Sequence, residues 1–220
     1  MSGATAPRLG RAVARRDVRL LALAVVAEGM LVAVHFALRP GEATDLRYVL
    51  YPFVWIDVAV WAVAKTTPAG ATRRREAVAV VLAVAYAATL ATLGGLVGLS
   101  GGAEGPLGLR FALRSPGWGP VVAYVSPAFY VTFVPYLVVG YLALSYLLYA
   151  AAVDAPSATP LGALGLVACA GCSVPILTTL AGAVAGAAGA AAAYAHSLDV
   201  ATAAFVATVA LLYYRPWARR

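Results

Sequence analysis

Apolar residues in this chain gather into long runs, and short polar or basic stretches separate them. Runs at 20–38, 46–64, 77–99, 121–150 and 161–183 are long enough to cross a bilayer, and 198–214 nearly is. A hydrocarbon core about 30 Å thick takes roughly 20 helical residues. A spanning backbone must satisfy its own hydrogen bonds, and these runs lack the period-two alternation of barrel strands, so they predict helices. The expected fold is all-α: a polytopic transmembrane bundle of six spans. A basic segment (1–19) precedes a single transmembrane domain (20–214), and a basic tail (215–220) follows it.

Composition agrees. Hydrophobic residues make up 63% of the 220 and charged residues 11%, against about 45–50% and 25% in soluble domains. The net charge of +7 would suggest nucleic acid in a soluble protein. Here the cations cluster at the ends of apolar runs, which points to orientation in a bilayer and to lipid, not nucleic acid, as the partner. With both termini on the cytoplasmic side, the inner set is Arg8, Arg11, Arg15, Arg16, Arg19, Lys65, Arg73, Arg74, Arg75, Arg215, Arg219 and Arg220. The outer set is Arg39, Arg47, Arg110 and Arg114, so the split is twelve to four. Seven spans would make it nine to seven, and the positive-inside rule therefore favours six. The first run is longer than a signal-peptide core and ends at Arg39-Pro40, as expected of a retained anchor. These features predict a multi-pass cell-membrane protein. The abundance of Ala, Val, Gly and Arg suggests a GC-rich prokaryotic genome. Tyr48, Tyr51, Trp55 and Trp118 fall near the outer interface, and Trp61, Tyr146, Tyr149, Tyr213, Tyr214 and Trp217 near the inner one, as an aromatic belt.

Glycine and proline modify the simple bundle. Residues 100–120 form a Gly/Pro-rich outer loop in which 106–113 would lie at the interface. The fourth run is about thirty residues long, about 45 Å as a helix. Its Pro127 and Pro135, like Pro175 in the fifth run, are expected to break or kink a span. Gly94-x-x-x-Gly98 and Gly182-x-x-x-Gly186 repeat small residues every four positions, which suits close helix packing within the chain, in a homo-oligomer or against another membrane protein.

Candidate chemistry is sparse. Glu28 and Asp57 fall near the middle of two antiparallel spans. Intramembrane carboxyls face a bundle interior, and two close ones ionise together only at high cost, so the pair suits a shared proton or a bound cation. His35 follows Glu28 by two turns on the same helix face, toward the side where His196 also falls, and Asp199 would begin the last helix. Cys169 and Cys172 lie three apart in the fifth run. Such a pair could pack inertly, cycle as thiol and disulfide, or bind a soft metal such as copper.

Cys172-Ser-Val-Pro175 resembles the Cys-x-x-Pro element of the cytochrome c biogenesis and DsbD-type membrane thiol–disulfide carriers, which implies electron transfer by two cysteines. In that family the two cysteines occupy different spans, whereas here both lie in one. The chain also looks like small prokaryotic membrane proteins with a Cys-x-x-Cys element in a helix. Phosphate-binding, dinucleotide-binding, zinc-protease and serine-hydrolase motifs are absent, and no lysine lies deep in a span to form a retinal Schiff base. The expected function is a transport-related carrier or accessory permease subunit. The alternatives are a thiol-redox or copper-handling protein and an assembly subunit.

Overall fold

The computed structural model describes residues 6–38, 46–100, 107–154, 186–188 and 196–214, with side chains from Val18 onward. Its helices are α1 (Ala6–Leu38), α2 (Leu46–Lys65), α3 (Arg73–Leu93), α4 (Pro135–Asp154) and α5 (Ser197–Tyr214). All five are long and apolar enough to cross a membrane, α1 through its Val18–Leu38 part. The fifth apolar run, 161–183, lies outside the described residues, with Cys169, Cys172, Pro175 and Gly182.

Helix α4 is the centre of the bundle, packed against α3, α2 and α5. Its buried residues, among them Tyr136, Gly140, Leu144, Leu147, Ala151 and Val153, lie on all sides of the helix. A helix that is hydrophobic all round is a core helix, and α4 lacks the polar face of a surface element. Direction follows from contacts along its length. Trp55 meets Tyr136 at one end, and Tyr146 donates to the Thr66 carbonyl at 3.0 Å toward the other, so α2 and α4 run parallel. In α3, Gly94 lies against Tyr141 while Ala79 packs with Ala152 and Val153, so α3 is antiparallel to α4. Helix α5 is parallel to α2: Asp199 pairs with Arg47, and Tyr213 packs on Trp61 at 4.8 Å between ring centroids.

The connection between α3 and α4 corrects the expectation of a continuous helix at 121–150. Residues Val97–Leu99 (β1), Gly108–Ala112 (β2), Val121–Val125 (β3) and Phe129–Phe133 (β4) form an antiparallel sheet in the order β1-β4-β3-β2. The cause lies in the residues. From 121 to 133 the chain is mostly Val, Tyr, Phe and Thr, which are β-branched or aromatic and suit a pleated surface. Ser126-Pro127-Ala128 turns the chain between two such segments. The Ser126 hydroxyl donates to the Phe129 carbonyl at 2.8 Å and accepts from the Phe129 amide at 3.0 Å, which closes the hairpin. Hydropathy alone cannot separate a strand pair plus a helix from one long apolar helix.

Three proline and glycine expectations change with it. Pro127 sits in the hairpin turn, and Pro135 is the first residue of α4, so neither breaks a span. At a helix start proline has no bond to lose and its φ is already helical. Gly94 follows the end of α3 and Gly98 lies in β1, so they are not one helix-packing face. A Cβ on Gly94 would lie 2.1 Å from the Tyr141 hydroxyl, and one on Gly98 2.6 Å from that of Tyr130. Each glycine makes room for a tyrosine. Gly186 has φ +66, and nothing lies within 4 Å of where its Cβ would be.

Candidate functional site: a carboxyl pair between the first two helices

Helix α1 touches the bundle along one stripe. Ala24, Glu28, Val32, His35 and Phe36 are half-buried, and the side chains around them are exposed. The spacing of four, four and three is that of one helix face. Asp57, also half-buried, lies on α2 between exposed Val54 and Trp61. The Glu28 and Asp57 carboxyls lie within hydrogen-bonding reach of each other. Each is near the middle of its candidate span. Both acids lie about midway along helices that follow one another in the chain and touch there, which is why residues so far apart in sequence meet.

The pair can hold one proton as an acid–carboxylate hydrogen bond, or offer oxygens to a small cation. Holding two negative charges there is unfavourable, because charge at bilayer depth costs several kcal/mol. Among the described helices α1 is also the least packed: none of its apolar window is buried against the protein, compared with 67% of α4's. His35 is on the same stripe as Glu28 and stands edge-on to Phe36 at 5.5 Å.

A second polar cluster, which the sequence did not reveal as a unit, joins α2 to α5. Asp199 accepts from Arg47 Nη1 at 3.2 Å and from the Tyr51 hydroxyl, and it pairs with His196 Nδ1 at 2.9 Å. One helix turn deeper, Trp55 Nε1 donates to Thr202 Oγ1 at 3.1 Å, and its ring stacks on Phe205 at 4.1 Å. Positions 47, 51 and 55 on α2 and 199, 202 and 205 on α5 form the two sides of this seam. The mark it leaves in the sequence is the four-residue spacing of Arg47, Tyr51 and Trp55, of which the first also fits a flanking cation and the other two an aromatic belt. Trp55 is 1% exposed, so it belongs to the core and not to the belt. Asp199 does begin the last helix, but its carboxylate ties α5 to α2. His196 is thereby engaged with Asp199, and no cluster of three or more metal-ligating side chains occurs among the described residues.

Pro52 lies inside α2 and cannot donate to the Tyr48 carbonyl four residues back. Trp118 Nε1, from the loop between β2 and β3, donates to that carbonyl at 2.6 Å. Gly117, at φ +83, lets the loop approach, since a Cβ there would be 2.6 Å from Pro52 Cβ. The loop between β2 and β3 therefore locks onto the N-terminal half of α2, ahead of Asp57.

No curated protein and no solved structure matches the chain. Residues 1–219 match one protein family, and the chain belongs to it: a family of unknown function, DUF7546.

Proposed function

We propose that this protein is a multi-pass carrier, or the membrane subunit of a permease, in which Glu28 and Asp57 hold the coupling proton or cation. The observation that carries this reading is the meeting of the two carboxyls at mid-span, at the loosely packed joint of α1 with α2. Buried charge is costly in a membrane, and residues that bear it usually serve ion or proton pathways. A joint with little packing is where a helix can move to expose a site to one side and then the other.

Six crossings, with both termini on the cytoplasmic side, complete the reading. Helices α4 and α5 are both parallel to α2, so α4 ends at Asp154 at one end of the bundle and α5 begins at Ser197 at the opposite end. A crossing by the fifth apolar run, 161–183, would return the chain between them. The twelve-to-four distribution of cations supports the same count. An assembly role is the second reading, favoured by the slight contact of α1 with the rest of the protein, which leaves its apolar surface open to a neighbouring membrane protein.

Proteoliposomes loaded with a pH-sensitive dye test the carrier. Under an imposed membrane potential the wild-type protein should admit protons, and Glu28→Gln with Asp57→Asn should reduce the rate to that of protein-free vesicles. Flux unchanged in the double variant would end the carboxyl reading.

A further inference from the structure

We propose that the four-stranded sheet is an amphipathic platform seated on the lipid surface, with one face in the headgroup–acyl boundary of the outer leaflet. The register sorts its side chains. Leu99 pairs with Phe129 and Val97 with Val131, Leu109 with Tyr124 and Phe111 with Val122, and Tyr124 with Val131 and Val122 with Phe133. Directly opposed residues point to the same face, so one face carries only aliphatic and aromatic side chains. That face is open: Leu99 is 85% exposed and Leu109 75%, and Phe111, Phe129, Val131 and Phe133 are exposed as well. Contiguous apolar patches this extensive are rare on surfaces that meet water.

Three observations choose lipid as the occupant. The sheet is tethered closely to two membrane-length helices: Gly94, Gly95 and Leu96 join α3 to β1, and Val134 alone joins β4 to α4. Three residues reach only about 10 Å fully extended, so the sheet stays at the level where α3 and α4 end. Exposed apolar residues also run along α3 as far as Leu93, which only three residues separate from the start of β1 at Val97. Charge is divided accordingly: Arg110 lies on the opposite face from Leu109 and Phe111, and Arg114 follows just beyond β2. Arginine at this level suits anionic headgroups. Depth is limited by the sheet's own edges. Among the described residues the outer edges of β1 and β2 pair with no further strand, and open edges are not tolerated in hydrocarbon. The platform therefore stops where water and headgroups can still reach its backbone.

The test places single cysteines at Leu99, Leu109, Phe111 and, as the opposite-face control, Arg110, in full-length protein with Cys169 and Cys172 replaced by Ala. Each is labelled with an environment-sensitive fluorophore and reconstituted into vesicles of phosphatidylcholine with phosphatidylglycerol. Labels at Leu99, Leu109 and Phe111 should be shielded from aqueous iodide and quenched by shallow nitroxide lipids, while the Arg110 label stays open to iodide. Removing phosphatidylglycerol should lift the three buried labels toward water. Iodide access equal at all four sites would overturn the platform. So would shielding that grows with protein-to-lipid ratio alongside energy transfer between labelled copies, which would assign the face to a second copy of this chain. Labels quenched only by deep acyl nitroxides would contradict the proposed depth. A variant counts only if it elutes as wild type does in detergent.

Discussion

Proline has three different consequences in this chain, and position decides among them. Pro135 opens α4, where the missing amide hydrogen has no helical partner to lose. Pro135→Ala should therefore cost under about 1 kcal/mol, through the added freedom of the unfolded chain alone, and leave proton flux intact. Thermal unfolding in detergent checks the first part. Pro127 turns a hairpin. Pro52 breaks the ladder of α2, and Trp118 repairs the lost bond from another element. Trp118→Phe keeps the ring against Tyr136 but removes the donor. Leaving the part-buried Tyr48 carbonyl unpaired should cost about 1 kcal/mol, so this variant should unfold at lower temperature, whereas Trp118→Phe combined with Pro52→Ala should recover part of the loss. Neither role was legible beforehand. Sequence spacing marks where a proline stands in an apolar run, but not which distant indole will reach the carbonyl it exposes.

At the scale of elements, the helices were legible wherever one apolar run made one helix. The expected 46–64 became Leu46–Lys65, and 198–214 became Ser197–Tyr214. The run at 121–150 was not, because two short strands and a helix are equally apolar, and the Ser-Pro turn was the only local mark between them. The glycines show the same limit. Gly94 and Gly98 stood out by spacing, whereas Gly140, which had no such partner, sits at the crossing of three helices. A Cβ on it would lie 2.6 Å from Trp55 and 3.3 Å from Phe205. Gly140→Ala should force α2 and α5 apart from α4 at a cost of about 1–3 kcal/mol, and Gly140→Leu should prevent assembly of the bundle. Loss of near-ultraviolet circular dichroism from the stacked Trp55–Phe205 pair would report the separation. Gly29, with nothing within 4 Å of its Cβ position, should accept Ala without such change.

For the whole molecule, direction along the bundle joins the topology to the site. Positive charge in the sequence suggests which ends face inward, and the parallel course of α2, α4 and α5 sets those helices in a common direction relative to one another. Cysteines placed at Thr67 and Arg219 should accordingly react with a membrane-impermeant maleimide only after vesicles of inside-in orientation are opened, and a cysteine at Ser115 before. The carboxyl pair was the legible part of the candidate site, because acids at the middle of apolar runs are costly enough to stand out singly. The seam of Arg47, Tyr51, Asp199 and His196 was not, since each of those residues alone is an ordinary occupant of an interface. At the centre of the account is a proton shared between α1 and α2. Infrared spectra of the carboxyl carbonyl stretch at neutral pH, in lipid, test it most directly. The wild-type protein should show a protonated-carboxyl band that shifts in Glu28→Gln and in Asp57→Asn and vanishes when both are replaced; a band that survives the double replacement, or none in the wild type, would contradict it.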